Sequence, residues 1–283
     1  MKNRVCLITG ANAGIGRETA LALAKQGARV IMLCRNLPKA LAAQQAIIQE
    51  SANQQVDIVI CDLSNLDDVK RAAEEIKQRY PQIHVLVNNA GFMVLDQQNT
   101  CNNFESTFAV NYLAHVLLTE LLLDTMKNSA PSRVIHVSSS VHKRAKLDLA
   151  DPMFKNKPYK GFVAYANSKL ANILYSNLLA ERLQGSGVTS NALDPGMVDT
   201  EFGDKVGIPA WMRIFTSVLR PWVKTPPEGA LTSIYLASAP EIEQVTGTYW
   251  AKATKSECAV PCHDKKLQQA LWHSTRSLLK PWL

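Results

Sequence analysis

A short apolar run, Val5-Cys6-Leu7-Ile8, ends in Thr9-Gly10-Ala11-Asn12-Ala13-Gly14-Ile15-Gly16, and a helical apolar periodicity starts at once behind it. This junction restricts the possible folds more than any other part of the chain. Glycine lets the backbone turn sharply and approach a bound group with no Cβ in the way. The helix that follows offers free N–H groups and a partial positive charge at its N-terminus, which suits a pyrophosphate. A glycine cluster alone would serve equally as a structural turn. Its place between a first strand and a first helix is the context that phosphate binding requires. Gly10, Asn12, Gly14, Ile15 and Gly16 are therefore candidate contacts for a dinucleotide.

The same alternation continues along the chain. Strand-like runs lie at 4–9, 28–33, 56–61, 83–88, 133–138 and 188–193, with helical patterns at 15–26, 37–51, 65–79, 103–127 and 163–184 between them. Apolar runs separated by helices read as strands buried on both faces of a parallel sheet. The expected class is α/β: a Rossmann-type doubly wound parallel sheet with right-handed crossovers, one domain over residues 1–283. The alternation breaks at about 197–225, where glycines and prolines surround an apolar cluster that includes Trp211, Met212, Phe215, Leu219 and Trp222. This segment reads as a small helical lobe packed on the core, or as a lid over an apolar substrate, and the lid is the favoured expectation. A helix at 227–238, a strand-like run at 247–250 and a helix at 264–279 close the chain.

Several residues at the ends of these elements can carry chemistry. Tyr165 and Lys169 stand four apart, on one helix face. Tyrosine ordinarily titrates near pH ~10, too high for easy proton exchange at neutrality, and a nearby ammonium favours the phenolate. Such a pair alone is commonplace. The fifth strand-like run ends in Ser138-Ser139-Ser140, where a hydroxyl can hydrogen-bond a carbonyl oxygen and stabilise a developing alkoxide; residue type leaves all three open. Asn88-Asn89-Ala90-Gly91 closes the fourth run, as turn formers or as site amides. Asn111 interrupts a helical pattern in which asparagine is a poor interior residue.

In this order, T-G-x-x-x-G-x-G, N-N-A-G, the serine-rich strand end and Y-x-x-x-K resemble the short-chain dehydrogenase/reductase family, with matches from residue 4 to residue 200. The resemblance implies a catalytic set of Asn111, Ser139, Tyr165 and Lys169. Ser139 would orient the substrate oxygen, Tyr165 would act as general acid/base, Lys169 would tune it and bind ribose, and Asn111 would hold a proton-relay water. It also implies cofactor contacts at Asp62 and Leu63 (adenine), at Asn89, Ala90 and Gly91, and at Pro195, Gly196, Val198 and Thr200 (nicotinamide carboxamide). Asp194 departs from the neutral residue or histidine usual before Pro-Gly. The second strand ends in Cys34-Arg35-Asn36, where an NAD site would hold a carboxylate. A guanidinium suits a 2′-phosphate instead, so NADP(H) is the implied cofactor, unless Arg35 is a plain surface charge; Arg17 would assist weakly. Finer likeness in Thr9 to Thr19, in Ser168-Lys169-Leu170-Ala171-Asn172 and in Glu181 to Gly185 points to the retinol dehydrogenase branch. That implies reduction of retinal-like or long-chain apolar aldehydes. Another hydrophobic ketone, a steroid or a tetrapyrrole-type substrate is the alternative within enzymes. A non-catalytic NADP-binding sensor or scaffold is the alternative outside them, although it would have no need of Ser139, Tyr165 and Lys169 together.

Composition sets outer limits. A hydrophobic share of 47% supports a large core. The net charge of +7 fits an ordinary basic surface, or attraction for a phosphorylated cofactor, an acidic substrate or an anionic membrane face. No Lys/Arg block interleaves with aromatics, which argues against nucleic acid. Cys6, Cys34 and Cys61 fall in apolar runs, and buried free thiols suggest a reducing compartment. Cys258, Cys262 and His263 lack a further ligand pair, so no metal is expected. No run reaches the ~18 apolar residues of a membrane span; the best, Val116 to Leu123, is broken by Thr119 and Glu120. The run Val5 to Ile8 is too short for a signal peptide and has no processing site behind it, so none is expected. The expectation is a soluble or peripherally membrane-associated cytoplasmic protein, with a homodimer through 103–127 and 163–184 as a family-implied option.

Overall fold

The computed structural model describes residues 1–198 and 224–283; the apolar cluster at Trp211–Trp222, most of the expected lid and Thr200 lie outside them. Seven strands and six helices alternate through most of the described chain: β1 (Val5–Thr9), α1 (Gly14–Lys25), β2 (Arg29–Cys34), α2 (Leu37–Ser51), β3 (Val56–Ile60), α3 (Leu66–Arg79), β4 (Val85–Asn88), α4 (Ser106–Lys127), β5 (Ser132–Val137), α5 (Gly161–Arg182), β6 (Val188–Asp194), α6 (Pro226–Ser238) and β7 (Tyr249–Ala251). A two-residue strand β8 (Thr254–Lys255) and helix α7 (Lys265–Leu279) follow. The sheet order is β3-β2-β1-β4-β5-β6-β7-β8. All pairs are parallel except β7 with β8. Strand order reverses between β1 and β4, and open α/β sheets bind ligands in the crevice at such a point.

The core lies on both faces of the sheet, as the unbroken apolar strands require. One face packs Leu7, Ile31, Leu33 and Leu86 beneath α3, α4, α5 and α7. The other packs Cys6, Ile8, Val30 and Met32 beneath α1, α2 and α6. Element boundaries fall within three residues of the expectations, except that β8 carries no periodicity for a sequence reading to use.

One expectation needs correcting. Ser106–Lys127 is a single helix long and apolar enough, by composition, to cross a membrane. The run looked too short because Thr119 and Glu120 divide it, but helix length counts both sides of that break. Its most apolar window is 83% buried in the protein, so its apolarity is accounted for by core packing. Thr119 donates to the His115 carbonyl at 2.7 Å and Glu120 accepts from Tyr175 at 2.6 Å, which keeps both polar residues partnered inside.

Candidate active site

A cleft of about 1010 Å³ runs over the C-terminal ends of β1, β2, β4, β5 and β6. Gly10, Asn12, Gly14, Ile15 and Gly16 line one end. Gly10 and Gly14 hold φ of +67° and +52°, the left-handed region that favours glycine. A Cβ on Gly16 would sit 2.4 Å from the Gly10 carbonyl oxygen and 2.5 Å from Asn89 Nδ2. This is a cradle that only bare backbone forms, beside the N-terminus of α1, and it fits a pyrophosphate.

Thr9 ties the cradle to the neighbouring strand end. Its hydroxyl accepts the N–H groups of Asn89 and Ala90, both at 2.9 Å, and its carbonyl accepts Asn89 Nδ2 at 2.8 Å. Asn88 turns the other way and donates to Thr119 at 2.9 Å, in the core. The two asparagines therefore do different work. Asn89, with Ala90 and Gly91, lines the cleft, and Asn88 anchors it.

At the opposite mouth stand Arg35, Asn36, Asp62 and Leu63. Arg35 is 71% exposed and lies 4.0 Å from Asp62, so its guanidinium is open to a ligand. Asn36 caps α2, accepting Lys39 N–H at 2.9 Å. Lys39, which sequence reasoning passed over, also lines the cleft and adds a second cation there. The periodicity of α2 could have found it, since Lys39 lies one turn from Asn36. Arg17 pairs with Glu18 at 2.6 Å and with Glu50, outside the cleft lining.

The three serines at the β5 end differ in what they touch, and both Ser138 and Ser139 line the cleft. Ser138 is buried and donates to the Lys169 carbonyl at 2.8 Å. Ser140 is exposed and begins a 3-10 turn. Ser139 lines the cleft, and its hydroxyl is hydrogen-bonded to that of Tyr165. Lys169 is buried, donates to the Val137 carbonyl at 2.9 Å, and sits 5.5 Å from the centre of the Tyr165 ring.

The electrostatics differ from the sequence expectation. Burial first, and Asp194 second, push the Tyr165 phenol above its ordinary value, against a lowering by Ser139. Lys169, whose ammonium donates to the Val137 carbonyl, is itself pushed down to about 8 by burial, with Asp194 opposing. Asp194, read from sequence as a small departure, thus faces both residues. It also accepts Gly196 N–H at 3.0 Å and helps hold that glycine at φ +85°. Pro195, Gly196 and Val198 line the cleft beside it, and Lys224 reaches the Pro195 carbonyl at 3.2 Å.

Asn111 sits in a π-helical stretch of α4, Ala109–Leu113. Its Oδ1 accepts Phe92 N–H at 2.9 Å, and its Nδ2 donates to the Phe92 carbonyl at 2.9 Å and to Ser168 at 3.1 Å. The side chain clamps the loop after Gly91 to α5. Behind it lies His115, which the sequence did not flag. Its Nδ1 meets the Asn111 carbonyl at 3.1 Å and its Nε2 meets the Thr9 hydroxyl at 3.0 Å. A carbonyl can only accept, so Nδ1 carries the proton. Burial holds His115 down at about 4, hence neutral, and Nε2 accepts from Thr9.

Comparison with known proteins agrees with this geometry. The model of the short chain dehydrogenase family matches residues 4–209. Retinol dehydrogenase 14 of Mus musculus is 40% identical over 283 residues, covering 96% of this chain and 84% of that protein. Human retinol dehydrogenase 12 is 39% identical, covering 99% and 87%. Human polyprenol dehydrogenase is 39% identical, covering 95% and 83%. Among solved structures, an uncharacterized protein from Mycobacterium Paratuberculosis superposes with TM-score 0.81 at 30% identity, over 99% of this chain and 94% of that one. An NAD(P) dependent gluconate 5-dehydrogenase from Beutenbergia cavernae, with bound NADP, superposes with TM-score 0.72 at 25% identity, over 89% and 96%. With its glycine cradle, its Ser139–Tyr165 hydroxyl pair and nearly full-length likeness to these enzymes, this chain belongs to the short-chain dehydrogenase/reductase family, in its retinol dehydrogenase branch, and is an alcohol/carbonyl oxidoreductase.

Proposed function

We propose that the protein is an NADP(H)-dependent oxidoreductase that interconverts an apolar aldehyde and its primary alcohol, of retinal/retinol or long-chain type. The observation that carries the reading is the gathering of Ser139, Tyr165 and Lys169 with the glycine cradle and two cations, Arg35 and Lys39, along one cleft. When bound, the nicotinamide supplies or accepts the hydride. The cradle from Gly10 to Gly16 holds the pyrophosphate, and Arg35 with Lys39 meets the 2′-phosphate. Asp62, Asn89, Pro195, Gly196 and Val198 frame the rest of the cofactor; Thr200 lies outside the described residues.

The chain's own chemistry is proton handling at one oxygen. Ser139 donates a hydrogen bond to the substrate oxygen and polarises the carbonyl. Tyr165 gives that oxygen its proton during reduction and takes it back during oxidation. Lys169 holds positive charge beneath the phenol, and Asn111 fixes the Gly91–Phe92 loop against α5. An apolar substrate is supported by Phe92, Val110 and Met197 along the cleft, the last 57% exposed. It is supported further by the apolar sequence at Trp211–Trp222, and by relatives whose names specify retinol and polyprenol, both apolar primary alcohols.

Purified protein should oxidise NADPH in the presence of all-trans-retinal or a medium-chain aliphatic aldehyde, and turn over a steroid ketone poorly. Cofactor binding without turnover of any member of this panel would favour the sensor reading.

A further inference from the structure

Outside the cleft, one cluster of reactive side chains has no part in the reaction above. After β8 the chain makes a 3-10 turn at Val260–His263. Cys258 lies just before the turn and is partly exposed; Cys262, inside it, is fully buried. The Cys262 thiol donates to the Cys258 sulfur, and His263 Nε2 lies 3.4 Å from that same sulfur. The three side chains therefore meet at one accessible sulfur. Among the described residues they form no metal-ligating group.

Cys258 differs from the buried thiols, Cys262 included; the hydrogen bond to Cys258, then burial, pushes Cys262 well up. Burial pushes Cys6 up to about 12 and Cys34 up to about 11, leaving both inert near neutrality. Cys258 is instead held down at about 7, first by the Cys262 hydrogen bond, then by the charges of His263 and Lys143. A thiolate in an electropositive, half-open setting with a second thiol in contact is the arrangement of a peroxide-oxidisable pair.

The pair is also wired to the catalytic serine. Ala259, the residue after Cys258, donates its N–H to His142 Nε2 at 3.0 Å. His142 is buried, and its Nδ1 meets the Ser139 carbonyl at 2.7 Å, so Nδ1 carries the proton and Nε2 accepts. Two hydrogen bonds thus join the cysteine turn to Ser139, with the His142 ring packed edge-on against Tyr249 at 5.0 Å.

We propose that Cys258 and Cys262 form a hydroperoxide-sensitive thiol site whose oxidation to a disulfide lowers turnover by moving Ser139 through His142. The chemistry has two steps. The Cys258 thiolate attacks the terminal oxygen of a hydroperoxide; an S–O bond forms, the O–O bond breaks, and the alkoxide leaves with the proton that Cys258 had lost, carried by His263. The Cys262 sulfur then attacks the sulfenic sulfur of Cys258; the S–S bond forms, the S–O bond breaks, and hydroxide leaves with the Cys262 proton as water. Two thiols lose two electrons, and the hydroperoxide is reduced to an alcohol and water. Joining the two sulfurs reshapes the turn between Cys258 and Cys262, which contains Ala259. That shift is transmitted at Ala259, where the His142 contact begins.

The test uses the full chain and hydrogen peroxide. The segment Ser256–Lys265, released by trypsin, contains both cysteines. After peroxide it should lose two hydrogens in mass and recover them with dithiothreitol. This readout stands whether or not the substrate reading above is right. NADPH-dependent aldehyde reduction should fall on the order of tenfold or more in parallel, as a small misplacement of a catalytic group produces, and should return on reduction. Cys258→Ser and Cys262→Ala should each keep the basal rate and lose the sensitivity. If Cys262→Ala folds poorly, the half-exposed Cys258→Ser carries the comparison. A peptide that stays a dithiol while Cys101 is oxidised would overturn the site. A disulfide that forms with turnover unchanged would overturn the link to Ser139.

Discussion

At the scale of single residues, the clearest consequences follow from charge and proton position. Arg35 is exposed at the cleft mouth and loosely paired. Charge-assisted hydrogen bonds are worth ~1.5–3 kcal/mol, so Arg35→Ala should raise the KM for NADPH by about 10- to 100-fold and leave that for NADH nearly unchanged; steady-state kinetics with both cofactors decides. His115 is a positioning residue, bridging Thr9 and the Asn111 carbonyl. His115→Leu should lower kcat with little change in the KM for NADPH. His115→Asn, whose amide nitrogen falls where Nδ1 was, should recover part of the rate. Much of the cleft lining was legible at this scale, because Ser139 follows a strand end and Tyr165 and Lys169 stand four apart on one helix. His115, Asp194 and Lys39 were not legible, because their roles depend on which neighbour each meets in space. Helix spacing places Tyr165 and Lys169 on one face but does not say where the ammonium points, which is toward the Val137 carbonyl.

At the scale of elements, the β1–α1 junction and the polar layer beneath it dominate. A Cβ added to Gly16 would meet the Gly10 carbonyl oxygen at 2.4 Å, and backbone cannot swing aside as a side chain would. Gly16→Ala should therefore cost about 1–3 kcal/mol of stability and weaken NADPH binding; thermal unfolding with and without cofactor measures both. Beneath the junction, β4, β5 and α4 enclose His115 and His136, held by burial down at about 4 and about 3 from an ordinary 6.5. Below the ordinary value the unfolded chain takes up protons that the folded chain refuses, so stability is lost as pH falls from 6.5 toward these values. The slope is about 1.4 kcal/mol per pH unit for each histidine. His136 Nε2 and Asn88 Oδ1 have no partner in this layer. His136→Asn should flatten the acid side of the stability profile, read by denaturant titration across that range. Strands and helices were legible from periodicity because burial on two faces leaves unbroken apolar runs. The π-helical stretch around Asn111 was not, since it is built from the same residues as an ordinary turn.

For the whole molecule, strand order reverses once, between β1 and β4, and this places the cradle, the N-N-A-G turn and the serine end along one crevice. The alternation of elements foretold this architecture, since parallel strands need crossovers. It did not foretell that α4, apolar enough to span a bilayer, would be consumed by the core. Helices α4 and α5, which family pairing would use, already carry α7 from the same chain against α5, with Trp272 stacked on Tyr175 at 5.9 Å. The proposed function has this cleft move a hydride between NADP(H) and an apolar carbonyl with Tyr165 as the proton carrier. The most direct measurement is the initial rate of all-trans-retinal reduction with NADPH and with NADH, for the wild type and for Tyr165→Phe. The account predicts a clear preference for NADPH and a loss of about 10²- to 10⁴-fold in the variant, with NADPH binding retained. A preference for NADH, or a variant as active as the wild type, would contradict it.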